Sequence, residues 1–139
     1  MAPRNNPPVL AFALILLGLG LSLVGGPGSP GVRGLAATAR ALCVQHVTAP
    51  DRAAQAASAA TIYVEAADRL GSKTYASAIE AQQHILDRVQ RELVPRSAGW
   101  SAVNAELAAA VRGSFGPSPD AETLKGAYTD IAAGLKGVK

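Results

Sequence analysis

Residues 9–25, VLAFALILLGLGLSLVG, run for seventeen positions without a charge. A helix of that length is about 26 Å long at 1.5 Å per residue, at the short end for a bilayer core of about 30 Å. Extension to Gly26 and back to Pro7 lengthens it, and Pro7 and Pro8 suit a helix start, where the missing N–H is no loss. Few soluble helices are apolar on every face over such a length. The run is therefore read as a single transmembrane signal-anchor helix over 9–26, behind a short polar tail at 1–8.

The competing reading is a cleaved secretory signal peptide, which would leave a secreted helical protein. A single Arg ahead of the run and its N-terminal position suit that reading. The run is longer than a usual signal core, however, and the following GGPGSPGVRG offers no small-x-small cleavage site; Ala37-Thr38-Ala39 lies too far on. Arg4 stands on one side of the run, Arg33 and Arg40 on the other, so the positive-inside count is nearly balanced. The expected arrangement is single-pass in the cell (inner) membrane, with the C-terminal domain on the exported, periplasmic side. Residues 27–34, rich in Gly and Pro, read as a flexible linker.

The formal charge of +3 does not point to nucleic acid. With Arg4 and Arg33 set aside, eleven Lys/Arg face ten Asp/Glu, and the cations are scattered among acids rather than clustered as phosphate contacts require. The single cysteine, Cys43, excludes an intrachain disulfide framework and any multi-cysteine zinc site.

From Leu35 onward the pattern is helical, and 26 of these last 106 residues after Arg33 are alanine, which favours helices lying close together around a thin core. Leu35–Val47 places Leu35, Ala39, Leu42 and His46 on one face. Thr48-Ala-Pro-Asp51 resembles a capping box opening a second helix that runs to about Leu70, with Ala59, Ile62, Ala66 and Leu70 as its stripe. Ser72 caps a third helix, Lys73–Leu93, striped by Tyr75, Ile79, Gln82, Leu86, Val89 and Leu93 and ended by Pro95. Trp100, Val103, Leu107, Ala110 and Val111 stripe a fourth. Gly113 to Pro117 break the chain, and Ser118-Pro119 opens a fifth helix carrying Leu124, Tyr128, Ile131 and Leu135. The fold class expected is all-α: one transmembrane helix, a linker, and a compact antiparallel bundle of about five helices over 35–139.

Candidate sites are few. Gly18, Ser22 and Gly26 stand at four-residue steps in the apolar run, a helix-pairing face through which the chain could meet itself or another membrane protein. Cys43 and His46 share a helix face with i, i+3 spacing, and His84 lies on another helix between Glu80 and Asp87. Two ligands do not make a metal site, so no metal or cofactor is assigned. The phosphate-loop, G-x-S-x-G and H-E-x-x-H patterns do not occur. Phage lytic enzymes of the lysozyme type place an Asp or Cys nine residues after a catalytic Glu. Here Thr74, Val89 and Ser101 follow Glu65, Glu80 and Glu92, so no catalytic residue is assigned.

Tail, single span and outer helical region follow the same order as in phage inner-membrane spanin subunits. Those rods are charge-dense, unbroken heptads, whereas this chain is 17% charged and breaks at Gly71, Pro95 and Pro117. Two functions of different class remain. A membrane-tethered interaction or assembly module calls for an exposed apolar patch, with Trp100 and Tyr128 as partner contacts if exposed. A small cell-wall-active enzyme calls for a cleft gathering Glu65, Glu80 or Glu92 with perturbed acidity. The lipid bilayer is the expected partner and nucleic acid is not.

Overall fold

The computed structural model describes residues 31–72 and 77–139. The polar tail, the apolar run with Gly18, Ser22 and Gly26, and linker residues 27–30 lie outside them. Among the described residues no helix is long and apolar enough to cross a membrane. Those residues form five helices and no strand: α1 Gly31–His46, α2 Arg52–Gly71, α3 Ala78–Glu92, α4 Gly99–Phe115 and α5 Ala121–Lys136.

Side-chain caps set the starts of α3 and α5 but not those of α2 and α4. α1 starts at Gly31, inside the stretch expected to be linker. Each glycine costs a helix about 1 kcal/mol, and the burial of Leu35 and Ala39 just beyond offsets that loss. Thr48 does not cap α2. Asp51 occupies the cap position without making a cap bond, because its carboxylate is taken elsewhere: Gln55 Nε2 donates to it at 2.8 Å and an Arg96 guanidinium nitrogen at 3.1 Å. α3 begins at Ser77 rather than Ser72, and Ser77 Oγ accepts the Glu80 N–H at 3.2 Å. Ser77-Ala-Ile-Glu80 has the serine-to-glutamate spacing of a capping box. α5 is capped by Asp120, whose Oδ1 accepts the Thr123 N–H at 2.8 Å, two residues later than Ser118.

The helices pack as a closed circuit in which α2 lies against α5, α5 against α1, α1 against α4, α4 against α3, and α3 against α2. Tyr63 meets Tyr128 edge to face at 5.6 Å, and Leu70 shares a hollow with Leu124, so α2 and α5 run antiparallel. Across the middle, Gln55–Trp100 and Tyr63–Asn104 tie α2 to α4, which run parallel to each other. The core stripes expected on α2, α4 and α5 are buried, except that Ala110 is only partly covered. On α2, Ala56, Ala59, Ala60, Ala66 and Ala67 make most of the buried face, which allows its axis to come close to α5. A stripe of small residues gives up area per side chain and gains close approach.

α3 departs from the expected pattern. Ala81, Ile85 and Val89 are its buried residues, followed by Leu93, while Ile79 and Leu86 point out at 59% and 46% exposure. Tyr75 is outside the described residues. Two apolar stripes share Val89 and Leu93, and the stripe with the smaller Ala81 is the one that packs.

α1 is fixed by two backbone crossings. A Cβ at Gly134 would lie 2.0 Å from the Ala36 carbonyl oxygen, and one at Gly99 would lie 1.9 Å from that of His46. The Asp130 carboxylate, one turn before Gly134 on α5, accepts the Ala36 N–H at 2.9 Å. α5 thus holds Ala36 by both sides of its peptide, and supplies a carboxylate that the first turn of α1 lacks.

Candidate functional site

Trp100 and Tyr128 are core residues, 2% and 3% exposed, so neither meets the condition for partner contact. Trp100 Nε1 donates to Gln55 Oε1 at 2.9 Å, and Gln55 is itself 2% exposed. This assignment of the amide is forced: the indole needs an acceptor and Asp51 needs a donor, so the oxygen faces Trp100 and the nitrogen faces Asp51. Arg96, Asp51, Gln55 and Trp100 form one chain of hydrogen bonds from the α3–α4 turn into the core. Gln55 and Arg96 hold the Asp51 carboxyl below the usual carboxylate range.

A slot of about 30 Å³ lies inside the circuit among Tyr63, Gln82, Asn104, Leu107 and Tyr128. Tyr63 Oη donates to Asn104 Oδ1 at 3.2 Å, and burial, then the neighbouring Tyr128, raises the Tyr63 phenol. The slot has room for about one water. A larger hollow of about 220 Å³ opens where α2 ends and α3 and α5 begin. Leu70, Ala78, Ala121 and Leu124 line it, with Ser77 and Asp120 already capping their own helices.

Glu65, Glu80 and Glu92 line neither cavity. Glu80 is exposed on the first turn of α3. Glu65 on α2 and Glu92 on α3 both bind Arg88, Glu92 through two guanidinium nitrogens at 2.9 and 3.1 Å. That pairing holds the Glu92 carboxyl below its ordinary range, the direction opposite to a general acid. The hydrogen bonds that Arg88 donates to Glu92 and then to Glu65 raise its guanidinium, against the opposing effect of burial. Burial, then Arg69 and Arg88, lower His84.

Because the Glu92 carboxyl is held below its ordinary range only in the fold, its pairing stabilises the fold above the unfolded value near pH 4.3 and is lost as pH falls through the folded value. Arg88→Met is therefore expected to lower stability by about 1 kcal/mol at pH 7, since both acids are partly solvated, and by less at pH 3. Urea unfolding at the two pH values measures it; an equal loss at both would rule out the ionic contribution.

Cys43 is buried, and burial raises its thiol while Arg52 opposes the shift. His46 Nε2 lies 2.8 Å from Glu106 Oε2 across α1 and α4. Among the described residues no three His, Cys, Asp or Glu side chains converge as metal ligands. Buried Gln55 and half-buried Asn104 turn polar groups inward without matching any sequence motif. Gln55 could have been found in the sequence, since it precedes Ala59, Ile62, Ala66 and Leu70 at the spacing of the same stripe.

Comparison with protein-family models, curated proteins and solved structures finds no match.

Proposed function

We propose that the chain is a membrane-tethered helical module with an interaction or assembly role, its domain held on the exported side by residues 9–26. The observation that supports this reading is the outer face of α3. Ile79 and Leu86 stand two turns apart on one side of the helix and are both largely exposed, with Gln83 and Gln90 beside them. Fully covering an aliphatic side chain is worth about 1.5–3 kcal/mol, so a surface offering two on one side of a helix gains by meeting a partner. The buried Ile85 and Val89 and the Ser77 cap hold the helix that displays them, so the face is presented in one orientation.

Substitution separates this face from the core. Ile79→Gln with Leu86→Gln is expected to leave stability within about 0.5 kcal/mol, as for other solvent-facing changes, whereas Ile85→Ala should cost about 2–5 kcal/mol. A photoreactive residue at 79 or 86 of the full chain in its native membranes should give a discrete cross-linked species, and one at exposed Thr61 on α2 should not. Equal cross-linking at Thr61, or none at 79 and 86, overturns the interaction reading. Membrane fractionation with an intact-mass measurement tests the tether: a soluble product starting near Gly28 or Arg40 would overturn it.

A further inference from the structure

We infer that the edge formed by α1 and the end of α5 rests on an anionic lipid surface through Arg40, Lys136 and Lys139; this builds on the tethered reading above. The three cations come together by packing. The Arg40 guanidinium reaches to 3.5 Å from where a Cβ of Gly137 would stand, placing it beside Lys136. Val138 is buried and its N–H bonds to the Leu135 carbonyl at 3.2 Å, which fixes the segment carrying Lys139 against the bundle.

All three side chains are exposed, and among the described residues none has a carboxylate within 4.0 Å. Elsewhere Arg88 is matched by Glu65 and Glu92, Arg91 by Asp87 and Arg96 by Asp51, while exposed Arg69 and Arg112, also without a carboxylate within 4.0 Å, are single cations on α2 and α4. α1 contains no acid and residues 131–139 no acidic side chain, so the one side-chain carboxylate at this edge is Asp130, which sits at the Ala36 N–H and offsets one of the three cations. The edge is thus positive in a domain that is otherwise close to balance. It also includes α1, the described helix nearest in sequence to the apolar run.

A short hydrophobic segment and a cationic patch reinforce each other, since stable membrane attachment commonly takes two signals. Each Lys or Arg close to an anionic surface strengthens association by roughly fivefold.

The test uses the full chain reconstituted into vesicles of phosphatidylcholine alone or with phosphatidylglycerol admixed. Acylation by a membrane-impermeant amine reagent is followed by mass spectrometry at each lysine. Lys136 and Lys139 should react at least tenfold more slowly on the anionic vesicles. Lys125, beside Gly71 at the other end of α5, should be unchanged. The difference should disappear at about 1 M salt, where the screening length is near 3 Å. Arg40→Gln should recover part of the Lys136 rate without unfolding the domain, because its side chain is exposed.

Equal rates on the two vesicle types, or the same slowing by duplex DNA free in solution, would overturn the inference. Carbonate extraction of the same vesicles reports on the tether separately. Chain that resists extraction yet shows equal rates overturns the lipid-facing edge alone, and chain that is extracted overturns both readings.

Discussion

Gly134→Ala is expected to destabilise the bundle by about 2–3 kcal/mol, although helix propensity alone forecasts a gain of about 1 kcal/mol. The added methyl would lie 2.0 Å from the Ala36 carbonyl oxygen, and that atom belongs to backbone with no rotamer to turn aside. α1 must move away from α5 by an ångström or more. The Asp130 carboxylate then loses its bond to the Ala36 N–H. Gly126, on the same helix with open space where its Cβ would be, is the internal control, and Gly126→Ala should stabilise. Urea unfolding of the two variants decides the matter by sign: stabilisation by Gly134→Ala would show that the close crossing is absent in solution.

Trp100→Ala should have a still larger effect, about 5 kcal/mol. Removing a buried Trp side chain costs about 3–5 kcal/mol, and the Gln55 oxygen left without its donor adds about 1–3 kcal/mol. The two contributions separate experimentally. Trp100→Phe keeps much of the volume and leaves Gln55 Oε1 unpaired, so it should cost about 2 kcal/mol. With Gln55→Leu added, both polar partners are gone, exposed Asp51 keeps Arg96 as its donor, and the double variant should recover part of that loss. A double variant no more stable than Trp100→Phe would show that packing, not the hydrogen bond, sets the value of this pair.

The helical character of residues 35–139 was legible because apolar side chains recur at three- and four-residue steps. Leu35 with Ala39, Ile62 with Ala66, Leu107 with Val111, and Ile131 with Leu135 are all buried in the fold. On α3 periodicity and packing select different faces. Periodicity ranks faces by hydrophobicity, so Ile79 and Leu86 outweighed Ala81, while packing selects the face that fits its neighbours. The helix starts were displaced because Thr48, Ser72 and Ser118 have capping chemistry, but a cap also requires extended backbone at that residue. Ser77 and Asp120 have it. Gly99 and Gly134 carried no signal in one dimension, since their role is set by the distance between helices far apart in sequence. The exposed α3 face was likewise hidden, because exposure is a property of what the rest of the chain leaves uncovered.

The two glycine crossings have a mechanical consequence. Ala36 and His46 are about 15 Å apart along α1, and each rests against backbone of a different helix. Tension drawn along α1 from its N-terminal end is shared between α5 at the first contact and α4 at the second. The helix must slide past both before it yields, so the domain resists traction in shear, and α3, with the apolar face it displays, lies off the line of load.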